Sequence, residues 1–94
     1  MKIISDVYQI KSRHANIILI TEKELTLIDT GFRGSSSKVA NFVHSLGRSV
    51  AEITLIILTH NHFDHIGGLA ELKELTQAKV AAHKADISDM PSQL

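Results

Sequence analysis

The stretch ITLIILTHNHFDHIGG, residues 53–68, joins an apolar segment to a cluster of coordinating side chains. Its first part is mostly apolar and β-branched, which is typical of a strand buried in a parallel sheet. Directly after it come His60, His62, Asp64 and His65. The stretch therefore predicts a strand that ends where a polar loop opens, at the carboxyl edge of an α/β sheet.

The spacing of these four side chains suits metal binding. Residues two apart in an extended segment point to the same side, so His60 and His62 can bind one ion together. Asp64 and His65 follow at a turn that could direct them to a second position. The alternative is a polar loop whose histidines cluster without binding anything. Four coordinating residues within six positions favour the metal site, and because the chain has no cysteine, His and carboxylate must hold any metal.

The rest of the chain alternates between strand and helix patterns. Three strands are predicted before the first helix, the last two as a hairpin, and each later helix is followed by a strand. The helix that begins near Gly34 has three serines as candidate N-caps and Gly47 at its end. The predicted segments are strands at residues 3–10, 15–21, 24–31, 53–59 and 78–83, and helices at residues 34–47 and 68–76.

Composition and charge narrow the possible partners. Ten Lys and Arg residues balance ten Asp and Glu residues, so no bulk positive field attracts nucleic acid or an anionic membrane. No segment approaches the roughly 20 apolar residues of a membrane span, and the N-terminus lacks the apolar run of a signal peptide. We therefore expect a cytoplasmic protein. Since no repeat or linker interrupts the chain, we expect no domain boundary within residues 1–94, which form a single, partial domain.

Two segments resemble a known family. THNHFDHIGG, residues 59–68, is similar to the Thr-His-x-His-x-Asp-His-x-Gly-Gly signature of the metallo-β-lactamase superfamily. LIDTG, residues 27–31, resembles the upstream Asp-Thr-Gly element of that family. The resemblance covers essentially the whole chain. It implies an α/β fold, the N-terminal half of an αββα sandwich, with a mixed sheet and helices on one face.

The resemblance also implies roles for individual residues. His60 and His62 would bind a first metal ion, and Asp64 and His65 a second. Zinc is the expected metal, with iron or manganese as alternatives. Asp29 would support the ligand loop and its histidines by hydrogen bonds. The alternative for Asp29 is a turn-forming residue before Thr-Gly.

Members of this superfamily are mostly hydrolases, in which two metals share a water that becomes a hydroxide at neutral pH. We therefore expect metal-dependent hydrolysis of an ester, thioester, lactam or phosphodiester in a small-molecule substrate. Asp64 is the candidate catalytic residue, since it could take part in proton transfer as well as ligation. A mononuclear iron dioxygenase branch shares the motif and is an alternative. His62 disfavours the flavodiiron branch, which usually carries Glu at that position.

The chain is much shorter than the family's usual domain, whose second half supplies further His and Asp ligands. His14, His44 and His83 are expected to be surface or structural residues and not substitutes for those ligands. We therefore expect the chain by itself to bind metal weakly and to hydrolyse little. An exposed sheet face would lead to a homo-oligomer or to pairing with a second half. The alternative function is a non-catalytic metal-binding or oligomerising fragment.

Overall fold

The computed structural model describes residues 2–12, 15–31, 34–59 and 68–82. In this part of the chain, six strands form one mixed sheet in the order β1-β2-β3-β4-β5-β6. The elements are β1 (Lys2–Ile4), β2 (Val7–Ser12), β3 (Ala15–Thr21), β4 (Leu25–Ile28), α1 (Ser35–Ser45), a 3-10 turn (Val50–Glu52), β5 (Ile53–Leu58), α2 (Leu69–Thr76) and β6 (Lys79–Ala82). Strands β1 to β4 are antiparallel neighbours, and β4, β5 and β6 run parallel. The mixed sheet confirms the predicted fold class.

The first predicted strand, residues 3–10, is divided into two. The chain turns at Asp6, whose φ is 68°, and β1 then pairs back on β2. Short polar side chains tolerate this left-handed backbone, so the turn needs no glycine. The prediction was wrong here because the apolar and β-branched pattern is the same on both sides of the turn. The hairpin predicted between β3 and β4 is confirmed.

The two helices of the described residues lie on the same face of the sheet. They connect β4 to β5 and β5 to β6. Two successive crossovers that have the same handedness and move in the same direction across the sheet place their helices on the same side. The two helices also contact each other. The core between helices and sheet is built from fully buried side chains of both layers: Ile17, Leu19, Leu25, Leu27, Val39, Val43, Ile53, Ile56, Leu69 and Leu72. The prediction of helices on one face is therefore confirmed.

The spacing of Leu69, Leu72 and Leu75 predicts that these three side chains share one side of helix α2, and the structure differs from this at the third leucine. Leu69 and Leu72 are buried, but the Leu75 side chain is 48 % exposed. Each three-residue step falls about 60° short of a full helical turn, so a third leucine at that spacing leaves the buried side. Thr76 takes the position, because it lies four residues after Leu72. Its hydroxyl donates to the Leu72 carbonyl at 2.7 Å and accepts from the Ala78 amide at 3.1 Å.

The opposite face of the sheet carries a row of half-buried apolar side chains. We call it the open face and define it by Ile18, Ile20, Ile28, Leu55 and Ile57. These residues are neighbours across the strands, since Ile18 pairs with Ile28 and Ile28 with Ile57. Strand β5 was predicted to be covered on both faces. Within the described residues it is covered on one. None of the helices in those residues is long and apolar enough to cross a membrane.

Candidate metal centre

The register of two parallel strands brings two distant segments together. Ile28, the last residue of β4, lies beside Ile57 of β5. The Asp29 amide continues this ladder and donates to the Ile57 carbonyl at 2.7 Å. Because parallel strands end at the same edge of a sheet, Asp29 and Thr59 become neighbours there, although they are 30 residues apart in the chain.

The Asp29 carboxylate binds Thr59 through two donors. The Thr59 amide donates to Oδ1 at 2.9 Å, and the Thr59 hydroxyl lies 2.8 Å from Oδ2 and 3.0 Å from Oδ1. Asp29 is only 6 % exposed, and its φ of 67° turns the chain sharply after β4. Hydrogen bonds to a carboxylate are stronger than those between neutral groups. Asp29 therefore fixes the residue directly before His60.

The same short segment holds the other end of the motif. The Gly68 amide donates to the Gly31 carbonyl at 3.0 Å. Gly31 has a φ of 70°, and a Cβ there would lie 2.8 Å from Ser35 Oγ and 3.1 Å from Ile17 Cδ1. Only glycine combines this backbone with this close approach. We call positions 60–67 the histidine motif. Residues 29–31 are bonded to the residues on both sides of it, Thr59 and Gly68, and we call them the anchor segment.

A further contact ties the start of α2 to α1. Glu71 Oε1 accepts from the Gly34 amide and from Ser36 Oγ, each at 3.0 Å. The serines predicted as N-caps of α1 do not act in that way. Gly34 is the N-cap residue, and no side-chain hydrogen bond from it caps the helix. Glu71 was not singled out from the sequence, because its position three residues after Gly68 indicates a local cap and not a bond to another helix.

The four predicted metal ligands, His60, His62, Asp64 and His65, lie outside the described residues. In the part of the chain that is described, no group of three or more His, Cys, Asp or Glu side chains could hold a metal ion. The predicted ligand set thus stays a prediction, as does any contact between Asp29 and the histidines.

The chain has three further histidines, His14, His44 and His83. His44 lies on α1 and is exposed, as predicted. His14 and His83 lie outside the described residues.

Comparison with known proteins identifies the family. The sequence profile of the metallo-β-lactamase superfamily matches residues 11–92. The chain belongs to this superfamily. Its fold is similar to that of a metallo-β-lactamase from Cronobacter sakazakii (Enterobacter sakazakii), with a TM-score of 0.87 and 29 % identity over 95 % of this chain and 35 % of that one. It is also similar to BJP-1, a subclass B3 metallo-β-lactamase of Bradyrhizobium japonicum, with a TM-score of 0.82 and 34 % identity over 92 % of this chain and 33 % of that one.

One similar curated protein is a hydrolase. A hydroxyacylglutathione hydrolase of Rhodopseudomonas palustris (strain BisB18) is 41 % identical over 56 residues, which are 57 % of this chain and 22 % of the relative. This chain therefore spans about a fifth of the length of this relative and about a third of the similar solved structures. Members of the superfamily generally bind metal ions, usually zinc.

Proposed function

We propose that the chain forms the N-terminal metal-binding part of a metal-dependent hydrolase. The observation that carries this proposal is the anchor segment, which is bonded to Thr59 on one side of the histidine motif and to Gly68 on the other. The segment between Thr59 and Gly68 thus begins and ends at residues that are held in place. Such preorganisation is what a metal site requires of its supporting residues.

The donor set between these two ends fits zinc. It contains three imidazoles and one carboxylate, which are ligands that zinc accepts, and iron or manganese would accept them too. His60 and His62 would hold a first ion, and Asp64 and His65 a second. Zinc bound in this way would lower the pKa of a water molecule to about 7. Asp64 would also accept a proton during the reaction.

The reaction is hydrolysis of a small molecule that carries an ester, thioester, lactam or phosphodiester bond. The relatives guide the order of testing. Hydroxyacylglutathione comes first, because a hydrolase of that compound is among the similar proteins, and β-lactams come second. The cytoplasmic location and the single domain expected from the sequence stay predictions.

The open face supports a proposal about partners. Half-buried apolar side chains such as Ile18, Ile28 and Ile57 would be covered further by a second polypeptide. We propose that the chain forms a homo-oligomer or pairs with a second half of the domain. The same face favours a second candidate function, a non-catalytic fragment that binds metal or oligomerises.

Zinc affinity of the untagged chain tests the metal site. Zinc affinity is measured by competition with a chromophoric chelator. Loss of a hydrogen-bond partner of a metal ligand typically weakens metal binding roughly 10–100-fold. We expect His62→Ala, which removes a predicted ligand itself, to weaken zinc binding by more than this. His44→Ala is the matched control, since it removes an exposed imidazole from α1. Equal affinities for the wild type and His62→Ala would refute the proposal.

Turnover separates the two candidate functions. Zinc-dependent hydrolysis of hydroxyacylglutathione that is lost in His60→Ala would support the enzyme, even at a low rate. Zinc binding without turnover of any of the four substrate classes, by a chain that sediments as an oligomer, would support the non-catalytic fragment.

A further inference from the structure

Glu71 joins two helices at the point where the histidine motif ends. It lies in the first turn of α2, and its Oε1 accepts from the Gly34 amide and the Ser36 hydroxyl at the start of α1. These partners are 37 and 35 residues away in the chain. The contact is therefore tertiary and fixes one helix start against the other.

The physical chemistry of a helix start explains why a carboxylate sits there. The first amides of a helix lack partners within the helix, and the positive end of the helix dipole favours a negative group. Helix α1 has no acidic residue in its own first turn, and Gly34 supplies no side-chain cap. Glu71 supplies both the acceptor and the charge from the neighbouring helix. It is half-buried, so solvent and salt screen the contact less than at the surface.

Among the described residues, this contact adds a second hydrogen-bonded attachment at the start of α2. At the start of α2, the Gly68 amide is held by the Gly31 carbonyl. One hydrogen bond and the burial of Leu69 and Leu72 hold the helix start, but a single directional contact defines the orientation of the helix only weakly. The bonds of Glu71 to α1 form a second point of attachment. Two points fix the direction in which α2 leaves the anchor segment.

We propose that Glu71 is a positioning residue for the histidine motif. It holds the start of α2, and with it Gly68, in place, so that the chain is fixed directly after the predicted ligands. The metal part of this inference rests on the proposed function. Glu71 itself binds no metal in this scheme and acts through Gly68.

Three variants of the full chain test the inference. Glu71→Ala removes the contact, and Glu71→Gln keeps an acceptor oxygen but loses the charge. Glu74→Ala is the matched control, because it makes the same change at an exposed position of the same helix. The first readout is hydrogen exchange of the Gly68 amide in metal-free protein by NMR, with the Ile56 amide in the core as internal reference. The second readout is zinc affinity.

We expect Glu71→Ala to raise the exchange rate at Gly68 about tenfold, without a change at Ile56, and to weaken zinc binding about tenfold. Glu71→Gln should recover part of both effects, and Glu74→Ala should cause neither. Should Glu71→Ala fail to fold, Glu71→Gln provides the same comparison with smaller effects.

Two results would overturn the positioning role. One is an exchange rate at Gly68 that is the same in Glu71→Ala and Glu74→Ala. The other is faster exchange in Glu71→Ala with a zinc affinity equal to that of the wild type. A wild-type chain that binds no zinc would instead overturn the proposed function, and exchange at Gly68 would still decide whether Glu71 fixes the start of α2.

Discussion

The bond between Asp29 and Thr59 offers the sharpest test of how the site is held. Asp29→Asn keeps the shape of the side chain and tolerates the left-handed φ of 67°, but it removes the charge. Thr59→Val keeps the β-branched shape and removes the hydroxyl, which lies 2.8 Å from Oδ2. The two substitutions and their combination form a double-mutant cycle on this contact.

The magnitudes follow from burial and charge. A hydrogen bond to a charged group contributes about 1.5–3 kcal/mol, and one between neutral groups about 1 kcal/mol. Asp29 is buried but Thr59 is exposed, so water can form some of the hydrogen bonds that the substitutions remove. We expect Asp29→Asn to lower the free energy of unfolding by about 2 kcal/mol and Thr59→Val by about 1 kcal/mol. In the double variant the loss should stay near 2 kcal/mol, which is a coupling of about 1 kcal/mol.

Urea unfolding followed by circular dichroism measures these differences, and the Asp29→Asn change corresponds to a fall in Tm of roughly 10 °C. Asp29→Ala should cost about 1 kcal/mol more than Asp29→Asn, because alanine disfavours the left-handed backbone. Additive losses in the double variant would refute the bond as the source of the stability. Equal losses in Asp29→Ala and Asp29→Asn would refute the argument from the backbone.

Three further predictions concern the residues around the anchor segment and the 3-10 turn. Gly31→Ala should lower the free energy of unfolding, measured in urea, by roughly 2–4 kcal/mol, because the new Cβ overlaps its neighbours and the backbone is strained. Gly47→Ala should cost only about 1 kcal/mol, because Gly47 has a similar φ of 76° but open space for a Cβ. Equal losses in the two variants would contradict the steric overlap at Gly31. Ser49→Ala should cost about 1 kcal/mol, since the Ser49 hydroxyl caps the 3-10 turn, and no loss in the same assay would contradict that cap. The Ser49 amide and then Arg48 lower the pKa of Glu52. Its contribution to stability should thus be complete above the ordinary pKa of glutamate and be lost as the pH falls through the lowered value, whereas Glu52→Gln should remove this dependence. An NMR titration that gives an ordinary pKa for Glu52 would contradict this.

Local patterns in the sequence were enough to place most of the sheet and both helices. The apolar run of β5, the β3–β4 hairpin and the helix pattern of α1 each depend on residues close together in the sequence, so these element types could be predicted without the fold. The motif at residues 59–68 and LIDTG identified the family for the same reason. The ligand set within that motif stays a prediction.

Strand boundaries, the buried side of a helix and contacts between distant segments were decided by the tertiary structure. The turn at Asp6 divides a uniform strand pattern, and Thr76 replaces Leu75 on the buried side of α2. The bond of Glu71 to Gly34 depends on two helices that lie side by side, and no local signal marks it. Periodicity reports which side of an element is apolar. Which polar groups meet across elements is set by register and packing, and these exist only when the whole sheet has formed.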